Sequence, residues 1–387
     1  MDNNKSPLQQ LDYGLLFIMF IMAIVSAVAI HSAPLPPKLE NINFASRQLV
    51  WYGISLVAIA GVMIIDFDRF RLISWYLYGF GLLLLLGLEF DAPGTQTIKG
   101  ATSWYQLPGL GNFQPSELMK IFLIIVISSI IFKHNEIYIQ KTIQDDFWLL
   151  GKILLTALPP LFLVMKQPDL GTAMVLSAIV AALVLVSGIR WRIIGGIVLS
   201  FILAALSVVI VYFTFTDWFE SKIMDNYGHA LERFYGWLAP YEYPTEGYQL
   251  TKSLLAIGSG QLEGKGYRQT EVYLPEAHTD FIFGVIAEQF GFIGASFVVS
   301  LFFMFVYRMI QIALDSHDPF GSYLVTGVIG MITFQVFQNI GMTIQLMPIT
   351  GIPLPYISYG GSSLVTYMIA LGLALNVRSR TRTYMFD

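Results

Sequence analysis

Ten nearly unbroken apolar runs divide the chain, near residues 14–32, 47–65, 72–90, 115–132, 148–165, 170–188, 191–213, 280–307, 320–346 and 360–377. Each is close to the roughly 20 residues that a helix rising about 1.5 Å per residue needs to cross about 30 Å of hydrocarbon. A helix satisfies its own backbone polar groups there, where water is absent. The pattern therefore predicts an all-α, polytopic integral membrane protein with about ten transmembrane helices. It reads as one domain over residues 1–387, with one long polar connection at 214–279. The run at 115–132 is the least apolar, because it carries Glu117 and Lys120. The first run has no basic segment before it and no Ala-x-Ala-like site after it, so it reads as a retained helix rather than a cleaved signal. No period of 20 to 50 residues repeats and no inverted pair of spans stands out, which gives no support to a transporter built on duplicated halves.

Composition agrees: 55% of the residues are hydrophobic and 12% charged, with a mean hydropathy of +0.64, values that a soluble domain hardly supports. The formal net charge of -4 argues neither for nucleic acid nor for an acidic ligand. Zero cysteines exclude disulfides, thiolate catalysis and cysteine metal sites. An even number of spans puts both termini on one side, and twelve basic residues of the short connections fall there, against Lys38, Arg47, Lys99 and Lys166 on the other. The positive-inside rule makes that side cytoplasmic, so 91–114, 166–169, 214–279 and 347–359 lie outside.

Candidate chemistry gathers on the outer side. In "LPEAHTDFIFGVIAEQFG", residues 274–291, Thr279 or Asp280 has the look of a helix N-cap. A carboxylate at the membrane edge also suits general-base work, and the two roles are compatible. Glu288 lies eight residues on, about 12 Å deeper along a helix, where an ionisable group faces protein or a wet cavity. Glu276 reads as a solvated loop residue, and His278 as a surface or hydrogen-bonding histidine with no second metal ligand at a matching spacing. In "NFQPSELMK", residues 112–120, Pro115 and Ser116 mark a helix start, and Glu117 and Lys120 form an i, i+3 pair that either neutralises itself or meets a ligand. Lys99 and Trp104 are placed to touch a headgroup or sugar, although a tryptophan at this level also serves as an interfacial anchor. "KQPDLGT", residues 166–172, is a tight reversal with a cation beside Asp169. "IGSGQLEGKGYRQT", residues 257–270, is glycine-rich and offers backbone N–H groups to phosphate, without Walker spacing. "MPITGIPLPYISYGGSS", residues 347–363, is irregular in a way tolerated at membrane depth only where it is covered or lines a cavity. Carboxylates, cations and aromatics outside, with no nucleotide motif inside, point to ATP-free work on an amphipathic substrate. A pyrophosphate-linked lipid suits the cations, and a sugar suits the aromatics.

The stretches "FQPSELMK", "QPDLGT", "AIGSGQLEGKG", "LPEAHTDFIFGVIAEQFG" and "GIPLPYISYGGSS", in this order over nearly the whole chain, resemble the SEDS family (shape, elongation, division and sporulation), most of all its rod-elongation branch. The resemblance implies a glycosyltransferase that polymerises lipid II into β-1,4 glycan strands on the outer face of a bacterial cytoplasmic membrane. It implies a cognate class B penicillin-binding protein and further elongation-complex membrane proteins as partners, and no nucleic acid. The family's essential aspartate, in its "HTDF" motif, maps onto Asp280 as general base, and its "PSE..K" pattern onto Glu117 and Lys120. Lys120, Arg233 and Lys265 become candidates for stabilising the leaving pyrophosphate, with Trp104 and Glu288 as further substrate contacts. No metal site or other cofactor is predicted, and a divalent-cation requirement stays open. Two other readings remain: a lipid II flippase using Glu117, Lys120 and Glu288 as a polar path, and a non-catalytic scaffold of the cell-wall machinery.

Overall fold

The computed structural model describes residues 11–39, 41–98, 101–107, 111–214 and 234–381. Its helices, numbered in chain order, are α1 (Tyr13–Ser32), α2 (Phe44–Ile64), α3 (Phe67–Glu89), α4 (Pro115–Ile137), α5 (Ile143–Lys166), α6 (Leu170–Val186), α7 (Trp191–Thr214), α8 (Tyr248–Gly260), α9 (Ile282–Asp315), α10 (Pro319–Thr343) and α11 (Gly361–Arg380). Each of the ten apolar runs is thus a helix. Among the described residues, α1 to α5, α9 and α10 are the seven long and apolar enough to cross a membrane. The apolar stretches Leu170–Val186 and Trp191–Ser207 are shorter. α11 carries more polar residues and is buried along most of its length, so its neighbours are protein side chains.

Starts follow capping chemistry. Asp12, Asn43, Asp66, Asp169 and Asp318 accept from the first-turn N–H groups of α1, α2, α3, α6 and α10. Thr142 and Asp145 form a reciprocal box at α5. α4 is the central helix: 78% of its most apolar window is buried, against 17% in α2. It packs against α3, α5, α6, α10 and α11, and apolar side chains from Leu123 to Ile127 fill its middle. Ion pairs such as Arg380–Asp66 at 3.0 Å and Arg378–Asp315 at 2.7 Å collect at the end where α3 starts and α9 and α11 finish.

The sequence pattern places 91–114 outside and assigns it no strands; the structure forms there a three-stranded antiparallel sheet, β1 (Thr95–Ile98), β2 (Ala101–Leu107) and β3 (Gly111–Phe113). The apolar-run search misses it because the strands are short and polar. The Tyr105 hydroxyl, donating to the Leu84 carbonyl at 3.1 Å, holds the sheet on α3.

The glycine-rich stretch takes a role different from phosphate binding. α9 is interrupted at Gly291 (φ 63°, ψ -162°), and the freed carbonyls of Glu288 and Gln289 accept, both at 3.0 Å, from the N–H groups of Lys265 and Gly266. In return, Phe292 and Ile293 donate to the carbonyls of Gln261 and Leu262. A Cβ on Gly264 would stand 2.2 Å from the Gln289 carbonyl oxygen, so only glycine permits this approach. The N–H groups offered to a phosphate are consumed in closing a broken helix.

Candidate active site

A cavity of about 350 Å³ opens at the end of the bundle where α4, α6, α9 and α11 all begin. Its wall includes Ser103 and Trp104 from β2, Gln114, Glu117 and Lys120 around the start of α4, and Gln167 to Thr172 around α6. Asp280 and the irregular segment 350–360 complete it. That irregular backbone therefore lines a cavity, as its composition predicts. The N-termini of α4, α9 and α11, like that of α8, whose residues do not line the cavity, have no side-chain cap, whereas α1, α2, α3, α5, α6 and α10 are capped by side chains. The first-turn backbone dipoles of α4 and α11, positive at this end, thus face the cavity, and Asp280 lines it just ahead of α9.

Asp280 is half-buried on the turn before α9. Neither it nor Thr279 is the N-cap, since the helix starts at Ile282 behind Phe281 and without a side-chain cap. Its backbone is held instead by three successive carbonyls. His278 O accepts from the Tyr359 N–H at 2.9 Å, Thr279 O from the Ser358 hydroxyl at 2.6 Å, and Asp280 O from Asn339 Nδ2 at 2.7 Å. Asn339 gives its second proton to Ile352 O at 2.7 Å, tying the same segment to α10. Gly351 (φ 70°) lies against the carboxylate; a Cβ there would be 3.4 Å from Asp280 Oδ2. The carboxylate is thus aimed by main chain bonded on both flanks. Glu276 also lines the cavity and accepts from the Thr279 hydroxyl at 3.2 Å, which corrects its reading as a merely solvated residue. His278 is buried, with its ring 4.6 Å from that of Phe44, and not on the surface.

Lys120 Nζ stands 2.8 Å from Glu117 Oε2, with 1% and 6% of the two side chains exposed. The ammonium also lies 5.5 Å from the Tyr367 ring centre. Tyr367 in turn accepts from Gln335 Nε2 at 2.9 Å. One turn of helix puts the pair on one face, and the central position of α4 desolvates it. Pro115 and Ser116 open α4 as the sequence predicts, and Gln114 occupies the cap position and sends Nε2 to Asp169 Oδ2 at 2.9 Å. Asp169 caps α6 through Thr172, while Lys166 turns away to Glu89 at 2.7 Å, so the cation and Asp169 do not act together.

Two expected contacts are not in this wall. Glu288 Oε1 accepts from Lys265 Nζ at 2.8 Å and from the N–H groups of Glu271 and Val272 at 2.9 and 3.1 Å. Glu271 Oε2 is a second partner of Lys265, at 3.0 Å. Burial pushes the Lys265 ammonium down, but these carboxylates outweigh it and hold its pKa above the usual lysine range. Both charges are spent in clamping the 261–272 segment to the broken helix, because a carboxylate at that depth captures the nearest donors. Arg233 and Lys99 lie outside the described residues. Among the described residues, no group of three metal-ligating side chains is close enough to hold an ion. Asn339, Gln335 and Gln167 escape the sequence reading. The signal for the first two was present, since Gln335, Gln338 and Asn339 recur at helical spacing inside an apolar run.

The model of the FtsW, RodA and SpoVE family, described as cell cycle protein, matches residues 13–383. Among similar proteins, the "Probable peptidoglycan glycosyltransferase FtsW" of Geobacter metallireducens is 32% identical over 98% of this chain and 97% of its own length. Stage V sporulation protein E of Bacillus subtilis is 34% identical over 89% of each, and the "Peptidoglycan glycosyltransferase MrdB" of Escherichia coli 31% over 96% and 94%. A chain in the structure "Structural coordination of polymerization and crosslinking by a peptidoglycan synthase complex" superposes with a TM-score of 0.76 at 28% identity, covering 95% of this chain and 97% of that one. The rod shape determining protein RodA of Thermus thermophilus gives 0.67, also at 28%, over 97% and 98%. Cavity, helix order and full-length similarity agree: this multi-pass membrane protein belongs to the FtsW/RodA/SpoVE family of cell-cycle proteins.

Proposed function

We propose that the chain is a peptidoglycan glycosyltransferase that joins lipid II units on the outer face of the cytoplasmic membrane, with Asp280 as general base. The observation that carries this reading is the meeting of a main-chain-held carboxylate, a buried Lys120–Glu117 pair and the uncapped starts of α4 and α11 in one cavity. Asp280 takes the proton of the GlcNAc 4-hydroxyl of the acceptor, and that oxygen attacks the anomeric carbon of the lipid-linked MurNAc. The new C–O bond forms on the face opposite the α-linked pyrophosphate. The bond to the phosphate oxygen breaks, and undecaprenyl pyrophosphate departs with the electron pair. Its developing charge meets Lys120 and the positive ends of α4 and α11. Trp104 borders the sugar, and Glu117 orients Lys120.

The enzyme names of similar proteins in Geobacter and Escherichia support the activity. Similarity to a chain of a peptidoglycan synthase complex supports a crosslinking partner, which in this reading is a class B penicillin-binding protein. The single domain, the cytoplasmic termini and the outer placement of 214–279 complete the proposal, and the likeness to RodA favours a role in elongation. Below Lys120, α4 presents the buried apolar run Leu123 to Ile127 before its next polar residues, Ser128 and Ser129, which favours polymerisation over flipping of the lipid along this helix. The test is glycan synthesis from lipid II by the purified chain with its partner, other transglycosylases being blocked with moenomycin. Asp280→Asn is expected to lower the rate by about 10²-fold to 10⁴-fold with expression and partner binding unchanged. A wild-type rate in that variant would remove the base from Asp280, and no glycan from either protein with its partner bound would favour the scaffold reading.

A further inference from the structure

Gln167 closes α5 and lines the cavity. Its main chain is satisfied, since its N–H donates to Val164 O at 3.1 Å and its carbonyl accepts from the Ser103 hydroxyl at 3.4 Å. Its side chain is not. The residue is 5% exposed, and neither Nε2 nor Oε1 has a hydrogen-bond partner among the described residues. The other buried amides, Gln48, Gln289, Gln335, Gln338, Asn339 and Asn376, each make at least one hydrogen bond. A buried amide with both ends unmet destabilises the fold that holds it. One located in the wall of a ligand cavity is explained by a partner that arrives with the ligand.

The donor and acceptor pair restricts that partner. A phosphate carries acceptors only, so it would answer Nε2 and leave Oε1 beside negative charge. An ammonium would answer Oε1 alone. Neighbouring sugar hydroxyls each donate and accept, so one can take the Nε2 proton while the next gives its own to Oε1. We propose that Gln167 binds the neutral sugar of the lipid-linked substrate in this two-handed manner. The inference rests on reading the cavity as a glycan polymerase site, and it assigns the sugar to the wall formed by α5 and α6, with the pyrophosphate left to Lys120.

The test compares binding of lipid II and of sugar-free undecaprenyl pyrophosphate to the full-length wild type, Gln167→Leu and Gln167→Met in detergent, with thermal unfolding of each. Gln167→Leu is expected to weaken lipid II binding about tenfold or more, to leave undecaprenyl pyrophosphate unaffected, and to unfold at no lower a temperature. Gln167→Met, a neutral side chain of similar length that loses donor and acceptor without adding charge, is expected to fold and to lose lipid II affinity selectively, and it decides the matter if the leucine variant does not fold. Equal loss for both ligands together with lowered stability would make Gln167 structural. Unchanged lipid II binding would mean that water satisfies the amide. Either result overturns the proposal. A wild type that discriminates the sugar yet makes no glycan would sink the polymerase reading while leaving this contact standing.

Discussion

Lys120→Met removes one charge from a pair that the fold has taken out of water. At 2.8 Å between Nζ and Glu117 Oε2, the attraction is about 6 kcal/mol at an effective dielectric constant of about 20. Desolvation of the two ions offsets most of that, so the intact pair contributes little net stability. The single substitution instead leaves the Glu117 carboxylate buried without a counter-charge, which costs about 3–5 kcal/mol. The double substitution Glu117→Gln with Lys120→Met leaves no unpaired charge and is expected to recover most of that loss. Activity is expected to stay down, by about 10²-fold to 10³-fold, because the departing pyrophosphate has lost its buried cation. Thermal unfolding in detergent and glycan synthesis from lipid II, measured on the same preparations, separate the two effects. A double variant that polymerises at the wild-type rate would make the pair purely structural. A single variant as stable as wild type would refute the desolvation on which the calculation rests.

Gly351→Ala places a Cβ beside Asp280 Oδ2 on a backbone with φ of 70°. It is expected to cost about 1–2 kcal/mol of stability and, unlike surface changes, to lower kcat by displacing the carboxylate; an unchanged kcat in folded protein would mean that Gly351 does not position the base. Glu288→Gln loosens the clamp on 261–272 and is expected to cost about 1.5–3 kcal/mol and to speed proteolysis of that segment, with KM for lipid II unchanged. A fully stable but inactive Glu288→Gln would return Glu288 to the substrate site. The Lys265 pKa is raised in the folded state, so the stability it contributes is complete below the ordinary lysine range and is lost as pH rises through the folded value. Glu288→Gln is therefore expected to weaken that alkaline dependence in unfolding-temperature profiles.

All ten apolar runs are helices, most within about five residues of their expected limits, with α9 running on to Asp315 past the expected 307; a long apolar segment satisfies its own backbone most simply as a helix, whether lipid or protein surrounds it. Asp280, Glu117, Lys120 and Trp104 were legible as well, since charge or an aromatic belt at the edge of an apolar run is conspicuous, and all four line the cavity. Proximity was not legible. Lys120, Gln167, Asp280 and Gly351 are far apart in sequence, and only the convergence of four helix starts brings them to one wall. The same limit explains Glu288 and Lys265, whose charges look available in sequence and are spent on each other once Gly291 breaks α9 and the glycine-rich stretch closes the gap. Local pattern sets which segments enter the membrane, because that depends on the solvation of each segment alone. Which polar groups face a ligand, and which only one another, depends on distances between segments that the chain acquires when it packs.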